Sequence, residues 1–197
     1  MTIDVLLINP GNHHAIYQGL SKDFSAIEPP TWALLLAESV RSVGYAPAIL
    51  DVSAERLSMS QVTERIQELE PRLICLVVYG QNPNSGTVNM SGAVALANAI
   101  KDYGISTPIS AVGSHVSALP REVLETEPSI DIVLCNEGVY ALRNLLATNL
   151  KDPDSYYNLR GIGFRLNGKP ILTKPESVVP QERMDVDLPG YAWDLLP

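Results

Sequence analysis

The chain has 197 residues, 46% hydrophobic and 18% charged, a composition that supports a substantial core and excludes wholesale disorder. Its net charge of −8 argues against nucleic acids and anionic membranes as partners. Because no apolar run reaches the roughly 18 residues of a membrane span and no signal-peptide pattern opens the chain, we expect a cytoplasmic protein.

Hydrophobic patterning predicts strands that alternate with helices over residues 1–150. The strands are predicted at residues 4–8, 46–50, 73–78, 108–112 and 130–135. The helices are predicted at residues 32–43, 60–69, 87–103, 119–127 and 139–149. This alternation predicts an α/β fold, a doubly wound five-stranded parallel sheet with helices on both faces. Cys75 and Cys135 fall in two of these strands; a disulfide would need adjacent strands with facing side chains, and two buried reduced thiols are favoured.

The turn after the first strand lacks the glycine spacing that binds a pyrophosphate; its sequence is Asn9-Pro10-Gly11-Asn12-His13-His14. A flavodoxin-like strand order is therefore favoured over the dinucleotide-binding order. Ligands of such sheets bind beyond the carboxyl ends of the strands. That edge is predicted to carry the loops after Asn9, Asp51, Tyr79, Gly113 and Cys135.

A long loop, residues 12–30, follows the first strand, and a connection of this length is usually functional or mobile. The adjacent His13 and His14 do not present two ligands to one metal ion as a helical pair four residues apart would, so we expect a solvated loop. Trp32, at the start of the next helix, is expected to be a packing residue.

The stretch that organises the chain begins with Leu73–Val78, an apolar run that predicts a strand buried on both faces. It ends in an uncharged, amide-rich loop, residues 80–86, directly before a helix. A neutral loop at a helix N-terminus suits a large polar ligand. We therefore predict that this segment forms the polar rim of a cofactor site, through Tyr79, Gln81, Asn82, Asn84, Ser85 and Thr87. The alternative is a simple turn and helix cap, in which Tyr79 only ends the strand.

From residue 151 the pattern changes. Residues 161–166 and 170–173 flank Asn167-Gly168 and predict a β-hairpin with a tight turn. The remaining chain is proline-rich and contains Trp193, expected to be a packing residue. We expect two parts, a ligand-binding α/β domain at residues 1–150 and a hairpin with a linker at residues 151–197.

Four segments carry a family resemblance. They are Pro29-Pro30-Thr31-Trp32-Ala33-Leu34, the stretch Ala111 to Glu122 (Ala-Val-Gly-Ser-His-Val-Ser-Ala-Leu-Pro-Arg-Glu), Asn136-Glu137-Gly138, and the terminal residues 188–197. Their order and spacing resemble the cobalamin-binding domain at the front of many radical S-adenosylmethionine (SAM) enzymes, whose pattern includes Gly-Gly-x-His-x-(Ser/Thr)-x-x-Pro and, later, Gly-Glu-Gly. The terminal segment is similar to that family's linker into the radical SAM barrel.

The chain departs from the family's patterns at three points. Val112 stands where the family has the first glycine of its pair. The Asp-x-His-x-x-Gly motif, which in other cobalamin proteins supplies the cobalt's lower histidine, is absent, and the sequence after the second strand, Asp51-Val52-Ser53-Ala54-Glu55-Arg56, contains no histidine. The Cys-x-x-x-Cys-x-x-Cys motif of the radical SAM cluster is absent. The resemblance therefore implies cobalamin held without a protein histidine ligand, with SAM and a 4Fe–4S cluster expected only in a downstream domain.

The resemblance implies that this domain presents cobalamin to that radical SAM barrel for methyl transfer or a related radical reaction, with no catalytic residue or metal ligand of its own. A corrin is broad, largely apolar and fringed by neutral amides, so it needs an apolar floor and neutral hydrogen-bond partners. Gly113, Ser114 and Gly138 are expected to leave room for the nucleotide tail. Glu137 is expected to accept a hydrogen bond from a ribose hydroxyl or ring amide, and His115 to contact the cofactor.

The sequence alone leaves simpler explanations open for these residues and for the chain as a whole. Glu137 could cap the last helix, and His115 could be an ordinary loop histidine. The chain as a whole could be a Rossmann-like module for a nucleotide or flavin, or a cobalamin-free interaction domain of the same fold. The sequence contains no nucleophile elbow, carboxylate pair or phosphate-binding glycine loop, so catalysis by this chain alone is not predicted.

Overall fold

The computed structural model describes residues 2–10, 28–79 and 83–197, and the side chains of residues 83–85 and 88 lie outside this description. Within it, seven strands form one sheet. The strands are Val5–Asn9 (β1), Pro47–Asp51 (β2), Leu73–Val78 (β3), Ile109–Gly113 (β4), Ile132–Leu134 (β5), Ile162–Leu166 (β6) and Lys169–Leu172 (β7). The helices are Thr31–Arg41 (α1), Met59–Leu69 (α2), Pro83–Asp102 (α3), Ser114–Ala118 (α4), Pro120–Thr126 (α5), Val139–Leu146 (α6) and Met184–Asp187 (α7).

The strand order is β2-β1-β3-β4-β5-β6-β7, and β1 to β5 are parallel. This confirms the predicted flavodoxin-like order and the five parallel strands. Strand β2 lies on one side of β1, and strands β3, β4 and β5 follow one another on the other side. The strand order therefore reverses between β1 and β3, the point where ligands bind in such folds.

Each face of the sheet is covered by a separate apolar cluster, as expected of a doubly wound sheet. On the first face, Leu7, Cys75 and Phe164 belong to a buried cluster that includes side chains of α1 and α6. On the opposite face, Leu6 and Ile74 join side chains of α2, α3, α4 and α5. Successive strand residues alternate between the two clusters, which is why the strands read as unbroken apolar runs.

The hairpin prediction is confirmed, and the structure adds that the hairpin extends the sheet. Strand β6 pairs antiparallel with β5, and β7 completes the edge. Asn167 and Gly168 both have positive φ, +50° and +75°, as a tight two-residue hairpin turn requires. Ile162 and Phe164 are buried, which explains why this hairpin pairs with the sheet.

Residues 174–197, which we name the C-terminal strap, pack across the first face. Val179 and Ala192 of the strap are buried in the cluster beneath α1 and α6. The Ala192 N–H also donates a hydrogen bond to the Leu34 carbonyl at 3.3 Å. Trp193 is 54% exposed, and its ring packs against that of Tyr191, with centroids 5.5 Å apart.

Two predicted boundaries near the carboxyl edge are wrong. Helix α3 begins at Pro83, four residues earlier than predicted, because proline is suited to a first helical turn, where its missing N–H costs nothing. Ser114 and His115 were predicted to lie in a loop but form the short helix α4 directly after β4.

The two cysteines are unpaired, as predicted. Cys75 is buried in β3, and burial raises the pKa of its thiol to about 12. Cys135 lies just beyond β5 and is only half-buried, so its predicted place inside a strand is wrong. Strand β4 separates β3 from β5, which keeps the two thiols apart.

Candidate functional site

The carboxyl ends of the five parallel strands meet at one edge, which gathers most of the predicted site residues. Tyr79 follows β3, Thr87 lies in the first turns of α3, and α4 carries Ser114 and His115 directly after β4. Gln81 and Asn82 lie outside the described residues. Asn84 and Ser85 belong to the first turn of α3 by their backbone, and their side chains are outside the description.

The turn after β5 is the most heavily bonded part of this edge. Asn136 and Gly138 have positive φ, +56° and +74°. The Asn136 carbonyl accepts hydrogen bonds from the Tyr79 hydroxyl at 3.0 Å and the Ser117 hydroxyl at 3.1 Å. The Glu137 carbonyl accepts one from Trp32 Nε1 at 3.0 Å. Side chains from three other parts of the edge therefore converge on two adjacent carbonyls.

The same turn holds the C-terminal strap. The Glu137 carboxylate accepts a hydrogen bond from the Val179 N–H, and Asn136 Nδ2 donates to the Glu176 carbonyl at 3.4 Å. The alternative that Glu137 caps the last helix is wrong, because the N-cap of α6 is Gly138 and no side chain forms a capping hydrogen bond there. The sequence could not show this role, since Glu137 and Val179 are 42 positions apart.

Three glycines at this edge allow close packing between elements of the chain itself. A Cβ at Gly113 would lie 2.1 Å from the Val78 carbonyl oxygen, and one at Gly138 would lie 2.7 Å from Val112 Cγ2. A Cβ at Gly86 would lie 2.0 Å from Ser114 Oγ. The missing side chains of Gly113 and Gly138 therefore let neighbouring parts of the chain pack closely, and their expected role beside a nucleotide tail stays a prediction.

His115 lies beside Thr87, with its Nδ1 3.3 Å from the Thr87 hydroxyl, and this contact joins α4 to α3. The ring is therefore on a helix rather than in the loop that the alternative assumed. Across the described ranges, no group of three or more His, Cys, Asp and Glu side chains is arranged to hold a metal ion.

Two carboxylates at the strand ends take part in internal hydrogen bonds. Asp51, buried at the end of β2, accepts hydrogen bonds from Asn9 Nδ2 and the Ala54 N–H, both at 3.1 Å. Glu137 accepts from the strap, as described above. Burial, and secondarily the charge of Glu137, raises the pKa of Tyr79 to about 12, so its hydroxyl stays a neutral donor. In the described part of this edge, hydroxyls, amides, an imidazole and aromatic rings lie near these carboxylates, and the charged Glu55 and Arg56 follow β2.

Trp32, which was expected only to pack, also takes part in the contacts of this edge. Its ring centroid lies 5.1 Å from that of Tyr79, with the planes tilted by 45°. Both rings are half-buried and pack against the first-face cluster. The available signal was its position, since a helix that follows the first strand of a parallel sheet begins at the carboxyl edge.

A second polar cluster joins the C-terminal strap to α6. Asp187 accepts hydrogen bonds from the Tyr140 hydroxyl at 2.6 Å, Arg143 Nη1 at 2.8 Å and Arg183 Nε at 2.9 Å. These bonds, first of all that from Arg183, hold the pKa of Asp187 well below its usual range. The cluster borders an open hollow of about 570 Å³. We name this group the Asp187 cluster.

The helices in the described part of the chain include none that is both long and apolar enough to cross a bilayer.

Comparison with known proteins gives a consistent result. The family profile described as "B12 binding domain" matches residues 19–146. The chain is 24% identical over 187 residues to the anaerobic magnesium-protoporphyrin IX monomethyl ester cyclase of Cereibacter sphaeroides, covering 93% of this chain and 29% of the cyclase. It is 27% identical over 104 residues to the cobalamin-dependent radical SAM methyltransferase TokK of Streptomyces tokunonensis, covering 53% of this chain and 14% of TokK.

The fold is similar to a solved structure as well. Radical SAM methyltransferase TsrM of Kitasatospora setae, solved with cobalamin and a [4Fe-4S] cluster bound, superposes with a TM-score of 0.66 at 18% identity. The match covers 92% of this chain and 30% of TsrM. The chain therefore spans less than a third of the length of these relatives.

Proposed function

The chain belongs to the B12-binding-domain family, and we propose that it binds a corrinoid at the carboxyl edge of its sheet, where the strand order reverses. The family match confirms the resemblance drawn from the sequence and favours it over a nucleotide- or flavin-binding module. The proposed contacts are Tyr79, Gln81, Asn82, Asn84, Ser85, Thr87, Gly113, Ser114, His115, Glu137 and Gly138.

The observation that carries this proposal is the neutral chemistry of the edge. A corrin presents a broad apolar ring fringed by amides, which require hydrogen-bonding groups without net charge. The carboxylates of Asp51 and Glu137 are bonded inside the protein, and Thr87, Ser114 and His115 bring hydroxyl and imidazole groups to the edge. The residues present therefore fit a corrinoid, with Gly113 and Gly138 bringing the backbone of adjacent loops close to the rim.

We also propose that no protein imidazole serves as a ligand to the cobalt. The segment after β2, residues 51–56, contains no histidine, and within it the Asp51 carboxylate accepts a hydrogen bond from the Ala54 N–H at 3.1 Å. His115, the histidine of the described edge, contacts Thr87.

Corrinoid binding is tested by mixing the chain with hydroxocobalamin and recording the visible spectrum after gel filtration. We expect corrinoid absorbance to co-elute with the protein, whereas flavin mononucleotide and NAD should not. Thr87→Val removes a rim hydroxyl and should weaken retention. Thr126→Val, an exposed helical threonine at the other end of the sheet, should not. Elution of the protein without corrinoid would contradict the proposal.

On the larger scale, we propose that residues 1–150 carry the cofactor and that residues 151–197 complete the sheet and lead toward a radical SAM domain of the same polypeptide. The names of TokK and TsrM, and the small share of each relative that this chain spans, support this arrangement. Bound cobalamin would supply methyl-transfer or related radical chemistry, with SAM and the 4Fe–4S cluster in the further domain.

The unpaired cysteines support a cytoplasmic location for such an enzyme. The test of the arrangement is the coding sequence downstream of residue 197, where a Cys-x-x-x-Cys-x-x-Cys motif is expected. A downstream sequence without it would contradict the radical SAM partner and leave corrinoid binding by this chain intact.

A further inference from the structure

The half-buried pair Trp32 and Tyr79 joins two loops of the carboxyl edge. Trp32 lies in the first turn of α1, and Tyr79 directly follows β3. Their ring centroids are 5.1 Å apart, in a tilted contact typical of packed aromatic pairs. The two rings therefore form one continuous surface beside the point where the strand order reverses.

The polar atom of each ring is bonded within the protein. Trp32 Nε1 donates to the Glu137 carbonyl and the Tyr79 hydroxyl donates to the Asn136 carbonyl, each at 3.0 Å. Buried or interfacial Trp and Tyr generally place their polar end on a partner and use the ring as contact area. With both polar ends occupied, the part of each ring that remains exposed is apolar carbon.

A second aromatic pair in the chain shows that ring pairing alone does not define a site. Tyr191 and Trp193 have centroids 5.5 Å apart, but they lie in the C-terminal strap, and Trp193 is more than half exposed. Among the aromatic pairs of residues 2–10, 28–79 and 83–197, only Trp32–Tyr79 combines bonded polar ends, partial burial and a position at the ligand-binding edge.

We propose that Trp32 and Tyr79 form an apolar wall of the cofactor site and contact the corrin ring. The inference rests on the proposed corrinoid binding and assigns Trp32, otherwise a packing residue, to the site. The wall supplies the apolar surface that the neutral polar groups of the same edge lack.

Oxidative footprinting with mass spectrometry tests the wall on the wild-type chain. A brief hydroxyl-radical pulse labels Trp32 and Trp193 in the same sample, with and without saturating hydroxocobalamin. We expect oxidation of Trp32 to fall several-fold when the corrinoid is bound, whereas oxidation of Trp193 stays constant and corrects for radical scavenging. If the corrinoid co-elutes with the protein but Trp32 is oxidised as fast as before, the proposed contact between Trp32 and the corrin is wrong, while corrinoid binding itself stands. Failure of the corrinoid to co-elute overturns the wall and the binding proposal together.

Affinity measurements on variants distinguish a direct contact between Trp32 and the corrin from a purely structural role of Trp32. Trp32→Ala should weaken hydroxocobalamin binding about tenfold, close to the value of one aromatic contact. Trp32→Phe keeps a ring and should retain most of the affinity, although it loses the bond to Glu137. Trp193→Ala is the matched control and should bind as wild type. If Trp32→Ala lowers thermal stability without changing the affinity, the proposed contact is wrong.

Discussion

The carboxyl edge and the Asp187 cluster both bring together polar side chains from distant parts of the chain. The aromatic pair at the edge is uncharged, whereas the cluster is built on ion pairs. At the edge, Trp32 and Tyr79 donate single hydrogen bonds to backbone carbonyls and stay half exposed. In the cluster, Asp187 is buried and bonded to two arginines and a tyrosine. Half-exposed rings whose polar ends are already bonded leave apolar surface for a ligand, whereas a buried carboxylate bonded to two arginines and a tyrosine changes partners only at a large cost. The first region is therefore suited to binding and the second to fastening the strap.

The largest effect should come from breaking the cluster. Asp187→Asn leaves the Arg143 guanidinium, whose side chain is only 11% exposed, without its counter-charge. We expect the free energy of unfolding to fall by about 3 kcal/mol, measured by urea denaturation. Asp185→Asn, an exposed residue of the same short helix, is the control and should change it little. If the two variants have the same free energy of unfolding, the Asp187 cluster does not fasten the strap, and the contrast with the carboxyl edge is wrong.

Two glycines with the same backbone conformation test the close packing at the edge. Gly138 and Gly168 have φ of +74° and +75°, so alanine at either position meets the same backbone strain. Only at Gly138 would the new Cβ collide, 2.7 Å from Val112 Cγ2. Gly138→Ala should therefore destabilise the chain by about 2 kcal/mol more than Gly168→Ala in urea unfolding. Equal losses would show that the edge is loosely packed.

Acid should weaken the cluster selectively. The pKa of Asp187 is lower in the folded chain than its unfolded value of about 3.9. Its stabilising contribution is therefore complete above that value and is lost as pH falls through the folded-state pKa. The stability difference between wild type and Asp187→Asn should narrow below about pH 4. A difference that stays constant into strong acid would mean that Asp187 is not held ionised by its partners.

The smallest effect should appear where the edge meets the strap. Glu137→Ala leaves the Val179 N–H without its acceptor and should cost about 1.5 kcal/mol, whereas Glu137→Gln keeps an acceptor oxygen and should cost about 0.5 kcal/mol. Hydrogen exchange provides the local measurement: the Val179 amide should lose protection in the alanine variant and keep most of it in the glutamine variant. Equal protection in both would exclude this bond as the link.

Local sequence patterns predicted much of the fold. The apolar run at β3 and the Asn167-Gly168 turn each depend on neighbouring residues, and both predictions are confirmed. The early start of α3 and the helix at Ser114 follow from local backbone geometry at Pro83 and Gly113, which hydrophobic periodicity does not report.

Long-range partners explain what the sequence could not predict at the site. The bond from Trp32 to Glu137 spans 105 positions, and that from Arg143 to Asp187 spans 44. Residue type suggested that Gly113 matters, but only the structure shows that the Val78 carbonyl fills the space a side chain would need. Sequence order can place residues at an edge of the sheet; which of them touch depends on loop paths that carry no periodic signal.

Electron paramagnetic resonance of the chain loaded with cob(II)alamin tests the central claim, a corrinoid at a neutral edge with no imidazole on the cobalt, most directly. The account predicts a protein-bound cob(II)alamin signal without superhyperfine splitting from a histidine nitrogen, so it should be unchanged by His115→Ala and by ¹⁵N labelling of the histidines. A nitrogen splitting that changes with the histidine label would contradict it.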